Sequence, residues 1–248
     1  MDGQEEQWLL AEKYRGEPSE AFFADCKRLA LGEPLGYLIG HVPFLDCKIW
    51  LDSRPLIPRP ETEYWVEEAI AEIKTVTPSS ESPRVLDLCA GSGCIGMAVA
   101  ADIPDARVDF SEIDAAHLPT IEKNIEENNI APERVRIKHT NLFEAFDGVY
   151  DFILSNPPYI DMDLERTDTN VLEHEPYIAL SGGLAGLEVI QKIIEEAPKH
   201  LERHGQLWIE HEPEQSVAIR NLAREHKFMC TTHHDQYGVE RYSVLVLQ

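Results

Sequence analysis

Positive charge is what this sequence has least of. Against 45 Asp and Glu stand 22 Lys and Arg, for a formal net charge of −23. No cluster of Lys or Arg offsets this locally. Affinity for a phosphate backbone rests on cations that displace counterions, so no direct nucleic-acid binding is expected. The acidity favours solubility and a basic protein partner. No uninterrupted apolar run approaches the length of a membrane span, so no membrane contact is expected. The opening "MDGQEEQWLL" is acidic where a secretory leader would be basic. Cys-x-x-Cys pairs are missing too. Five scattered cysteines (Cys26, Cys47, Cys89, Cys94, Cys230) point to a reduced cytoplasmic setting and away from zinc. His174, His211, His233 and His234 lack the spacing of a known metal site, so no metal is expected. There is no internal repeat and no obvious helical seam, which suggests a monomer.

What is there is ordinary in bulk and informative in pattern. A chain of 248 residues with 43% hydrophobic and 27% charged residues fits a globular protein of one sizeable domain with an appendage, or of two small domains. Two short helices are expected over residues 5–31, broken at Gly16 and Pro18. A segment rich in Pro, Gly and aromatics follows, with a short hairpin around Phe44 to Leu51 and then a proline-stiffened connector. "ETEYWVEEAIAEIK" reads as a helix with an acidic first turn, which suits the positive end of its dipole. "TVTPSSESP" reads as a linker, which divides the chain into residues 1–76 (helical region, hairpin and connector) and residues 77–248 (catalytic domain).

From Arg84 onward strand-like and helix-like runs alternate. The strands are "RVLDLC", "ARVDFSE", "RVRIKH", "YDFILSN", "GQLWIEH", "FMCTTHH" and "RYSVLVL". The intervening helices include one predicted to run from Gly186 to His204. This alternation predicts a doubly wound, mostly parallel α/β sheet of seven strands, with ligands beyond the carboxyl ends of the strands. The long segment 160–182 shows weak periodicity and reads as a substrate-side loop.

Three strand ends carry groups suited to a cofactor. The first ends in "VLDLCAGSGCIG", where Gly91 to Gly96 match G-x-G-x-x-G and let the backbone approach a ligand closely. Glu112, about twenty residues on, can accept hydrogen bonds from ribose hydroxyls. Asp87 precedes the glycines within the strand. A carboxylate there repels a pyrophosphate and suits a cationic, phosphate-free cofactor, so S-adenosylmethionine (AdoMet) is favoured over a dinucleotide. Asn141 and Leu142, at the third strand end, offer an amide and an apolar face to an adenine. The fourth strand stops at Asn156-Pro157-Pro158-Tyr159, since two prolines cannot continue a central strand. In a doubly wound order that tip lies across the crevice from the glycine loop.

"LDLCAGSG", Glu112 and "NPPY" together resemble class I AdoMet-dependent methyltransferases that modify a planar nitrogen. "LIPRPETE", "NPPYI", "HEPYIALSGGLAGLEVI", "GQLWIEH" and "DQYGVERY" narrow the likeness to the protein-(glutamine-N5) methyltransferases of peptide chain release factors. The resemblance runs from Gly32 to the end. It implies a Rossmann-like fold and methyl transfer to the glutamine of a Gly-Gly-Gln motif, with a release factor as partner and S-adenosylhomocysteine as product. It also implies a cofactor site at Asp87, Cys89, Ala90, Gly91, Ser92, Gly93, Glu112, Asn141, Leu142 and Asn156, with Asn156, Pro157, Pro158 and Tyr159 as the catalytic tip. In this reading the Asn156 carboxamide and the Pro157 carbonyl each accept a hydrogen from the target –NH2, while Tyr159 packs on the amide or holds the methyl region. Arg59 and Thr62 either line the cleft or belong to a rigid connector, and Glu175 belongs to a family element of unassigned role. The family usually has a longer N-terminal helical domain, so a pared-down docking region is expected. Cys89 stands where Gly is usual, which is tolerable if its backbone angle is ordinary. A ribosomal-protein glutamine methyltransferase, an adenine-N6 nucleic-acid methyltransferase and an NAD-dependent oxidoreductase are the competing readings.

Overall fold

The computed structural model describes residues 3–78 and 81–248. The chain opens with α1 (Gly3–Glu12), α2 (Glu20–Ala30) and α3 (Leu35–Ile39), a helical corner around Leu9, Phe22 and Leu38. Ser19 caps α2 by accepting the Phe22 N–H. A hairpin follows, β1 (His41–Phe44) and β2 (Cys47–Trp50), turning at Leu45 and Asp46. It begins three residues earlier than the sequence suggested, and α3 was not expected at all. Both depend on Gly40, whose left-handed φ of 94° ends the helix and reverses the chain into the strand.

The helix α4 (Pro60–Val76) starts on a proline at its first turn, where the missing N–H costs nothing. Its Trp65, Val66, Ala69, Ile70 and Ile73 are buried against the sheet, so one hydrophobic core runs across the 76/77 division. The remaining elements are β3 (Arg84–Leu88), α5 (Cys94–Asp102), β4 (Arg107–Glu112), α6 (Leu118–Glu127), β5 (Val135–His139), β6 (Tyr150–Ser155), α7 (Thr169–His174), α8 (Tyr177–Leu180), α9 (Glu188–Glu196), β7 (Leu201–Glu210), α10 (Ser216–Glu225), β8 (Phe228–His234) and β9 (Glu240–Leu247). Segment 160–182, expected to be irregular, holds α7 and α8. The helix predicted to reach His204 ends at Glu196 in a tight turn containing Pro198, and β7 starts at Leu201. Proline lacks the N–H needed to continue the helix.

The large sheet has seven strands in the order β5-β4-β3-β6-β7-β9-β8. β3 to β7 are mutually parallel, and β9 runs antiparallel to both β7 and β8. Val85, Phe152 and Leu154 face the layer of α4, α5 and α6, whereas Leu86, Leu88 and Ile153 face α9 and α10. Burial on both faces explains why these strands read as continuous apolar runs. Strand order reverses between β3 and β6, whose registers match Leu88 with Ser155. The crevice beyond those two carboxyl ends is where a doubly wound sheet binds its ligand.

Candidate active site

β3 ends at Leu88, and the chain turns through a loop that no ordinary backbone could follow. Gly91 and Gly93 have φ of 56° and 78° before α5 begins at Cys94. Gly96 serves a different purpose: a Cβ there would lie 2.5 Å from the Phe110 ring, so only glycine lets α5 settle on β4. Cys89 departs from expectation. Its φ is 64°, a left-handed conformation in which a side chain costs about 1 kcal/mol.

Two carboxylates hold this loop. Glu112 accepts the Gly91 N–H at 2.7 Å through one oxygen and the Asp114 N–H at 2.7 Å through the other. Asp87 is fully buried; its Oδ2 accepts the Gly96 N–H at 2.8 Å and its Oδ1 has no partner. Burial pushes its pKa up to about 8; the Gly96 hydrogen bond works against the rise and the nearby Glu112 adds to it.

The loop floors a cavity of about 560 Å³, within the usual range for small-molecule sites. Of the sequence-predicted residues, Cys89, Ala90, Gly91, Ser92, Glu112, Asn141, Leu142, Asn156 and Pro158 line it. Asp87 and Gly93 do not: Gly93 turns the loop into α5, and the buried Asp87 bonds the Gly96 N–H. Asn141 sits at the exposed rim, donating to Glu144 at 3.0 Å. The cavity also takes Leu56, Thr62, Ile113, Tyr177 and Ile178 into its wall; the sequence singled out Thr62 by residue, and Tyr177 and Ile178 only as part of the 160–182 segment.

A second cavity of about 460 Å³ lies on the other side of the β6 tip, lined by Arg59, Pro157, Tyr159, Ile160 and Gln215 among others. Asn156, Leu56 and Ala179 belong to both cavities. Pro157 and Tyr159 thus face the second cavity and not the first, so Tyr159 is not placed to hold a methyl group on the cofactor side. Arg59 pairs with the buried Glu175, which also accepts the Ile57 N–H at 3.2 Å. That pair ties the 54–59 connector to the segment between α7 and α8, and Leu56 of the connector and Ala179 of α8 line both cavities.

Beneath the tip lies a buried polar cluster that sequence reasoning missed. Glu210, at the end of β7, is fully buried and receives three hydrogen bonds: from Thr62 Oγ1 at 2.7 Å, from Trp65 Nε1 at 2.7 Å and from the Tyr159 hydroxyl at 2.9 Å. Burial raises its pKa, opposed by those three donors. Burial and the Glu210 charge raise that of Tyr159 well above a free phenol's. Thr62 Oγ1 in turn accepts from Asn156 Nδ2 at 3.1 Å. The one sequence signal for Glu210 was a carboxylate closing an apolar strand, in "GQLWIEH".

The donor set fits AdoMet. Glu112 would accept from ribose hydroxyls, Leu142 would offer an apolar face to the adenine, and a cation nearby would stabilise the charged form of Asp87, whose Oδ1 is orphaned. Among the described residues no group of three or more His, Cys, Asp or Glu side chains could hold a metal, and no helix is long and apolar enough to cross a membrane.

A seven-stranded sheet with this order, and a glycine-floored cavity at its switch point, are those of a class I methyltransferase. A methyltransferase from Pyrococcus furiosus shares the fold, with a TM-score of 0.60 at 18% identity over 90% of this chain and 97% of that one. The model of the methyltransferase small domain matches residues 72–174. The release factor glutamine methyltransferase of Rhodopirellula baltica is 35% identical over 84% of this chain and 71% of its own length. That of Lactococcus lactis is 32% identical over 94% and 84%. The chain belongs to the release factor glutamine methyltransferase family.

Proposed function

We propose that this enzyme transfers a methyl group from AdoMet to the side-chain amide nitrogen (N5) of the glutamine in the Gly-Gly-Gln motif of a peptide chain release factor. The observation that carries the reading is the position of Asn156, the one polar side chain shared by the two cavities. AdoMet occupies the glycine-floored cavity and the glutamine enters through the other. When bound, AdoMet supplies an electrophilic methyl on its sulfonium: the amide nitrogen's pair forms the new N–C bond, the S–CH3 pair stays on sulfur, and the nitrogen's proton leaves to water.

The residues of this chain supply positioning. An amide nitrogen is a poor nucleophile because its pair is delocalised into the carbonyl. Asn156 Oδ1 and the Pro157 carbonyl accept no hydrogen bond from any described residue, so both are available to the two hydrogens of the target –NH2. Two acceptors hold the nitrogen and aim its lone pair at the neighbouring cavity. The prolines fix the carbonyl direction before binding, so little entropy is lost on association. Orientation and electrostatics thus supply most of the rate, with no strong base required.

The test is transfer from labelled AdoMet to purified release factor, run beside rRNA, DNA and ribosomal proteins and beside the factor with its Gly-Gly-Gln glutamine replaced. Label on the intact factor, lost with that replacement, is the expected result. Label on a ribosomal protein or on nucleic acid instead would overturn the substrate while keeping the tip chemistry.

A further inference from the structure

The heavy-atom positions of an Asn side chain do not by themselves distinguish its oxygen from its nitrogen. Here the surroundings do. Trp65 Nε1 can only donate, so the Glu210 oxygen it meets at 2.7 Å, Oε2, must be an acceptor. Thr62 Oγ1 lies 2.7 Å from that same oxygen and, with Glu210 ionised, spends its single hydrogen there. What Thr62 has left for Asn156 is a lone pair. Asn156 can therefore present only its –NH2 to Thr62, and Oδ1 is forced outward, toward the junction of the two cavities.

We infer that the Glu210–Thr62 pair is a specificity-determining device: it fixes the Asn156 amide with its acceptor toward the substrate, so the site admits a carboxamide and rejects a carboxylate. This rests on the amide-transfer reading above. A glutamine brings hydrogens to Oδ1 and the Pro157 carbonyl. A glutamate at the same position brings only lone pairs and meets two acceptors. Thr62 and Glu210 are positioning residues, since they act through Asn156. The charge of Glu210 is not what matters; an acceptor at the Trp65 side is. In Glu210→Gln, Trp65 selects the amide oxygen for that place, and the –NH2 is left for the Tyr159 oxygen.

The experiment compares binding of two release-factor proteins, one with its Gly-Gly-Gln glutamine and one with glutamate there, to wild type, Thr62→Val, Thr62→Ser and Glu210→Gln. Methyl transfer to the glutamine form is measured in parallel. Thr62→Val keeps the shape and frees the Asn156 amide to turn. It is expected to narrow the Kd ratio between the glutamate and glutamine forms by roughly tenfold, and to lower kcat by a similar factor. Thr62→Ser and Glu210→Gln should keep the wild-type ratio. A merely structural role would alter stability or both affinities together, leaving the ratio fixed. If Thr62→Val does not fold, Thr62→Ala set against Thr62→Ser makes the same comparison. A ratio unchanged by loss of the hydroxyl, or collapsed in Glu210→Gln, overturns the inference. Absence of transfer by the wild type to the glutamine form overturns instead the reading on which it rests.

Discussion

The cavities that meet at Asn156 are assembled differently. The glycine-floored one takes its floor from three consecutive strand ends, held by bonds between residues 2, 9 and 21 positions apart: Asp114 to Glu112, Gly96 to Asp87 and Gly91 to Glu112. The one beyond the tip is assembled from Leu56 and Arg59 of the connector, the 156–187 segment and the turn after β7, tied by bonds between residues 116 and 118 positions apart. Local turns can be specified by a motif; a wall built from distant segments needs the whole fold in place first. The first region is thus a binding module that the sheet carries with it. The second is where a change far along the chain reaches the reacting group.

Substitutions can separate the two. The largest effect is expected at their junction. Asn156→Ala should lower methyl transfer by about a thousandfold, seen in single-turnover assays, because it removes both an acceptor and the geometry it enforces. AdoMet affinity by calorimetry should change by less than about threefold, since the glycine floor is untouched. A tenfold weaker AdoMet affinity would show that the cavities are not separable. Glu112→Ala is the converse. It releases the Gly91 and Asp114 amides and the ribose acceptors, and AdoMet Kd should rise by about ten- to a hundredfold with release-factor binding unaffected.

Asp87 allows a subtler probe. Its folded pKa of about 8 lies above the ordinary 3.8, so the fold disfavours its charged form. The stability it contributes is fully present below pH 3.8 and is lost as pH rises through about 8. Relative to Asp87→Asn, the wild-type melting temperature without cofactor should fall across that window, and the substitution should weaken AdoMet binding. Equal pH dependence in the two proteins would remove Asp87 as its source. The smallest effect belongs to Cys89→Gly. Relief of the left-handed backbone should stabilise the protein by up to about 1 kcal/mol, read by denaturant unfolding, with transfer nearly unchanged.

How far each region was legible follows from the same division. Glu112 and the Cys89–Gly93 loop could be found from spacing alone, because a strand, a glycine turn and an acidic residue about twenty positions on have one common arrangement. Tyr159 was placed by its neighbours in sequence, yet its hydroxyl turns to Glu210, a partner 51 residues away. The hairpin was misplaced because a glycine turn, not the run of apolar residues, set its start. The predicted helix through His204 failed because one proline outweighed a persistent apolar period.

By itself the sequence determined the class of fold and the family, and it pointed to the loop proposed to hold the cofactor, since apolar periodicity, glycine turns and a proline-stopped strand act over a few residues. The tertiary structure alone decided which side of the Asn156 amide Thr62 holds. That orientation depends on a threonine 94 positions before it and a glutamate a further 148 beyond that threonine. Hydrogen-bond direction is a property of atoms brought within about 3 Å, and only folding brings these together.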